Sequence, residues 1–156
     1  MPMGSFRFRT RSLEAFVLLA ALCVAECACE SPVAQSHIDA NVPGANSFDS
    51  LMERDLSAYF EQTLGTNGEI HVDYRLLREG STQTGISYPK FYVWAKILSG
   101  SRILTEGAVR VEAVDRTQFT VTHFLSKDQI ATDPDKIDAI FPAALKAKIL
   151  ALAAAK

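Results

Sequence analysis

His71, Asp73 and Arg75 stand two residues apart, interleaved with Ile70, Val72, Tyr74 and Leu76. That alternation has the period of a β-strand, so the three polar side chains project to one face. A histidine beside a carboxylate can serve as a general base, and a neighbouring guanidinium can hold an anion. A second alternating run, Lys90 to Ile97, places Tyr92 and Trp94 between Lys90 and Lys96 on one face. If the two runs are neighbours, His71, Asp73, Arg75, Tyr92 and Trp94 make a binding surface. The plain alternative is the wet side of an amphipathic sheet, with opposite charges paired across strands. Because that rule already accounts for every charge, no catalytic residue is assigned. The aromatic pair has its own alternative, as a floor for a later helix, which would bury more apolar surface.

A different set could line a pocket. Tyr59, Tyr74 and His123 have the phase of inward-facing residues, His123 running with Val121 and Leu125. A cup holding all three would suit a small enzyme, although a lone inward histidine is more often a hydrogen-bonded core or rim residue. His37 lies in a loop-like stretch and suggests nothing. The three cysteines, Cys23, Cys27 and Cys29, cluster near the N-terminus without histidine at ligand spacing, so no metal site and no thiol chemistry is expected in the body. Gly-x-Ser-x-Gly, His-Glu-x-x-His, phosphate-loop and dinucleotide signatures are all missing, and no cofactor is expected.

The elements that would position these residues emerge from periodicity. Met52, Leu56, Tyr59, Phe60 and Thr63 recur at helical steps, predicting a helix over 48–64, with Ser50 and Glu53 as a capping box and Gly65 as a left-handed stop. Four strands come next, 70–76, 90–97, 102–114 and 118–125, joined for the last three by short turns at Ser99-Gly100-Ser101 and Asp115-Arg116, hence antiparallel. Gly107 inside the third strand predicts a bulge or bend. Ser126 and Gln129 cap a short turn, Asp133-Pro134 opens a helix, and Pro142 kinks it or starts another. Ile137, Ile140, Phe141, Leu145, Ile149 and Leu152 keep helical spacing to the end, as a layer packed on the domain or lying on a partner.

The N-terminus reads as a targeting segment. Arg7, Arg9 and Arg11 precede an uncharged run from Ala15 to Ala25, too short to span a membrane and patterned as a secretory signal over residues 1–25. Residues 26–47 read as a flexible tether, rich from Glu30 onward in Ser, Pro, Ala, Asn and Gly. Residues 48–156 form one domain. The cysteines just behind the apolar run resemble those of bacterial lipoproteins, which implies Cys27 or Cys29 as lipidation candidates; Glu26 departs from the small residue that pattern wants. Without residues 1–25 the formal charge moves from −2 to −4, with no basic stripe, so nucleic-acid binding is not expected.

A helix leading into a four-strand antiparallel meander resembles the cystatin-like and NTF2-like architectures in element order over residues 48–125. The fold class is α+β, with a C-terminal helical segment added. The segment Gln83-Thr84-Gly85-Ile86-Ser87 departs from the cystatin inhibitory Gln-x-Val-x-Gly, with no valine and an early glycine, so protease inhibition is not implied. The expectation is an exported, non-catalytic binding or accessory protein of the cell envelope, its partner an envelope protein, a peptide or a glycan, touching membrane only through a lipid anchor. The alternative is a small NTF2-like enzyme with a pocket between sheet and helix.

Overall fold

The first helix, α1 (Ala45–Leu64), begins three residues earlier than the start at residue 48 expected from the sequence. Its N-cap is Gly44, and Ser50 sits inside the helix, donating to the Ser47 carbonyl at 3.1 Å. Pro43 and Phe48 explain the earlier start: they have the N′ and N4 spacing of a hydrophobic staple, and both line one cleft. The expected tether therefore ends before Val42, which already packs on the core. Gly65 stops the helix as expected, at φ 60°, its N–H donating to the Glu61 carbonyl at 3.2 Å. The structure, a computed structural model, describes residues 41–65, 70–84 and 87–155. The apolar leader, Cys23, Cys27, Cys29 and the tether up to residue 40 lie outside the described residues.

Four strands form one antiparallel sheet in the order β1 (Ile70–Leu76), β2 (Lys90–Ser99), β3 (Arg102–Asp115), β4 (Gln118–Ser126). One face carries Val72, Val93, Ile97, Val109 and Val111, and Met52, Leu56 and Phe60 of α1 seal it at four-residue steps with no solvent exposure. Ring pairs Phe48–Phe91, Phe48–Phe119 and Phe60–Phe124 meet edge-on at 4.9–5.1 Å. The opposite face carries Tyr92, Trp94, Ala108 and Leu125. It is covered by α2 (Lys127–Thr132), α3 (Lys136–Ile140), a 3₁₀ turn (Ala143–Leu145) and α4 (Lys146–Ala154) through Ile130, Ile137, Phe141, Leu145 and Ile149. The architecture is thus α+β, with helix on both faces of an open sheet.

The C-terminal layer starts without a loop. Ser126 ends β4 and caps α2, its hydroxyl accepting from the Gln129 N–H while the Gln129 side chain accepts from the Ser126 N–H. Asp133-Pro134 does not open α3; Asp133 closes α2 and Asp135 is the α3 N-cap, because Pro134 is spent in an intervening turn. Pro142 ends α3 and lets a fresh turn begin. Three polar ties hold the layer to the sheet: Lys127 Nζ to Glu106 Oε1 at 2.6 Å, Lys148 Nζ to the Leu77 carbonyl at 2.7 Å, and Arg110 Nη1 to the Ile140 carbonyl at 3.3 Å.

Gly107 is not a bulge. Pairing runs unbroken through it, to Ala95 on one side and Ser126 on the other, while the unpaired residues are Leu104, Val114 and Thr122. The reason for glycine is space: a Cβ here would lie 2.8 Å from the Phe124 ring and from Ser126 Cα, and closer still to the Leu125 carbonyl. Gly107 thus seats the ring that Phe60 packs against. Gly107→Ala is expected to destabilise by about 1–3 kcal/mol through overpacking. Thermal denaturation checks this, with Gly44, which has open space around it, as the control position.

Candidate functional site

Strand register decides which polar residues meet. Asp73 is the cross-strand partner of Lys96, Arg75 of Trp94 and His71 of Leu98. The C-terminal helices cover the Trp94 end of this face and stop short of the rest. The result is an open cleft of about 290 Å³ lined by Asp73, Tyr74, Arg75, Trp94 and Lys96. His71 Nε2 and Asp73 Oδ1 lie 3.0 Å apart, with both side chains about two-thirds exposed at 65% and 64%. An ion pair that wet contributes little to stability and gives no pre-organised base. Among the described residues neither Arg75 nor Lys96 has a side-chain ion-pair partner within 4.0 Å. The cleft therefore brings together two cations that form no ion pair with a described residue, one carboxylate and Trp94, an arrangement that can hold a charged group.

Tyr92 and Trp94 are not the exposed aromatic surface that the alternation allowed. They are 4% and 2% exposed, beneath the C-terminal helices. The Tyr92 hydroxyl is paired with Thr82 Oγ1 at 2.8 Å, and its ring lies 6.0 Å from that of Phe141. Trp94 also lines the cleft. The outward Trp–Tyr surface is thus corrected and the other reading, a floor for the C-terminal helical segment, is the one observed, its cause being the second apolar layer.

The three residues expected to line a cup do not come together. Thr122 is an extra residue in β4, between the pairs Val111–Val121 and Arg110–His123. That bulge reverses the phase of the rest of the strand, so Phe124 enters the core under α1, while Leu125 joins the opposite cluster. His123 pairs with Arg110 and is exposed. Residual burial and then the Arg110 charge hold its imidazole below the usual histidine range. Tyr59 packs edge-on against Phe60, 5.1 Å between centroids, beside a filled core.

Tyr74 instead donates to Asp49 Oδ1 at 2.5 Å. Burial, and then that hydrogen bond, lifts the phenol above the ordinary tyrosine range. Asp49 was missed from the sequence; the available signal was its place three residues before Met52, on the rim of the buried stripe. Beside it, a wider cleft of about 410 Å³ is lined chiefly by Val42, Pro43, Phe48, Leu76 and Phe91. Its lining brings no acid and base together. Among the described residues no three His, Cys, Asp or Glu side chains group to hold a metal ion, and no helix is long and apolar enough to cross a membrane.

No protein-family model, curated protein or solved structure matches the chain. Its class therefore rests on architecture alone: an α+β domain with an open four-stranded sheet between two helical layers.

Proposed function

We propose that this chain is an exported, non-catalytic binding or accessory protein of the cell envelope, with Arg75, Lys96 and Asp73 over Trp94 as its ligand seat. The observation that carries the reading is the meeting of Arg75 and Lys96, neither in an ion pair with a described residue, in one open cleft that Trp94 lines. With the aromatic faces buried, recognition rests on charge. This favours an acidic segment of an envelope protein or peptide over a neutral glycan, which is bound by stacking on open rings. The outward His123 and the chiefly apolar lining of the cleft between α1 and the sheet weigh against the small pocketed enzyme, and the helix-then-meander order supports a cystatin-like or NTF2-like reading of the fold. Export rests on the arginine-led apolar leader, and the lipid anchor on Cys27 and Cys29.

Trp94 is the chain's single tryptophan, so its emission reports on the cleft. Titration with acidic peptides and with envelope-fraction proteins is expected to shift that emission. Arg75→Glu combined with Lys96→Glu should abolish the shift while leaving the circular dichroism and melting temperature unchanged. A partner that still binds the double variant with undiminished affinity would place the seat elsewhere.

A further inference from the structure

The two edges of the sheet are finished differently. On β4 the Phe119 N–H donates to Asp55 Oδ2 at 2.7 Å, Arg54 Nη2 donates to the Thr117 carbonyl at 2.7 Å, and the bulge at Thr122 breaks the ladder. These are devices that close an edge to further pairing. On β1 no described residue hydrogen-bonds to the outer backbone groups. Register decides which groups those are. The Leu77 N–H donates to the Tyr92 carbonyl at 2.8 Å, and Leu77 continues the β1–β2 pairing by one step. Odd-numbered residues therefore turn their backbone groups toward β2, and Ile70, Val72, Tyr74 and Leu76 turn theirs outward.

We propose that β1 is a self-pairing edge: two copies of this chain join antiparallel through it, centred on Tyr74, into one continuous eight-stranded sheet. The occupant is argued from charge. Antiparallel pairing centred on Asp73 sets Asp73 against its own copy and His71 against Arg75, which is unfavourable. Moving the centre to Tyr74 keeps the outward groups of both strands facing one another. It sets Asp73 of each copy opposite Arg75 of the other, twice by symmetry, with Val72 opposite Leu76 and Tyr74 opposite itself; because Arg75 and Asp73 also line the ligand seat, a second copy and a ligand compete for them. Centring on Val72 instead sets His71 opposite Asp73 and leaves Arg75 beyond the paired residues. The existing Asp73–His71 contact is exposed and readily exchanged. Such an isologous contact needs no further complementarity, because each copy supplies both halves. It is small, so the dimer should exchange with monomer at micromolar concentration or above and weaken with added salt.

Sedimentation of the purified full chain across a concentration series tests this, with circular dichroism confirming each variant's fold. Asp73→Arg alone and Arg75→Asp alone should each weaken the dimer by about tenfold or more, since each turns two attractions into two repulsions. Asp73→Arg with Arg75→Asp together should restore it. Lys96→Glu, which removes a cation of the ligand cleft but not of the edge, should leave the dimer intact, separating this inference from the ligand reading. A chain that stays monomeric, a dimer indifferent to the single reversals, or a double reversal that fails to restore it would each overturn the proposal.

Discussion

Trp94→Ala is expected to cost about 3–5 kcal/mol, the range for truncating a buried large aromatic, and to lower the melting temperature sharply. The indole stands on β2, whose residues Phe91 to Ala95 are buried on both faces of the sheet. Above it lie Ile137, Phe141, Leu145 and Ile149, drawn from three separate helical pieces joined by turns. Those pieces are short, and short helices owe their stability to packing rather than propensity. Removing the indole leaves a void that they cannot fill without moving together. Denaturant unfolding monitored by circular dichroism measures the loss, and Arg75→Ala, a neighbour on the exposed face, should change stability by under about 0.5 kcal/mol. Wild-type stability in Trp94→Ala would show that the second layer is not packed on the indole.

Removing residues 143–156 is expected to have a comparable or larger effect. The deletion takes Leu145 and Ile149, each buried, and Leu150, Leu152 and Ala153, which pack against the same cluster. It also removes the Lys148 tie to the Leu77 carbonyl and the carbonyl of Ala155 that Lys127 holds at 2.5 Å. Each large aliphatic side chain returned to water forfeits about 1.5–3 kcal/mol, so the sum is comparable with the whole stability of an ordinary domain. The truncated chain should therefore bind a hydrophobic dye and lose its cooperative thermal transition. A truncated chain that melts cooperatively near the full-length temperature would mark the segment as a partner element instead.

The odd-even rhythm of β1 to β4, the stop at Gly65 and the Ser126–Gln129 capping pair were all legible, because each is a local rule satisfied locally. That β2 could bring Lys96 to the face of Asp73 and Arg75 was legible from the two alternations, while the Asp73–Lys96 register was not, because the long connection between β1 and β2 leaves it open. His123 was misread because a single extra residue, Thr122, reverses every later side chain, and no residue type announces a bulge of that kind. Tyr92 and Trp94 were ambiguous for a different reason: alternation states that two faces exist, while coverage of the second depends on helices encoded far along the chain. The start of α1 was placed late because Ser50 and Glu53 fit a capping box, whereas Pro43, Val42 and Phe48 anchor the helix through contacts that only the assembled core supplies.

The covering of the Trp94 face has a consequence for biogenesis. Synthesis runs from α1 through β4 before the segment 127–155 emerges, so the ribosome completes the sheet while one of its two apolar faces is still bare. A face that stays bare until the final stretch is made is open to non-native contacts throughout that interval, so the order of synthesis leaves the chain most prone to misassociation just before it is finished.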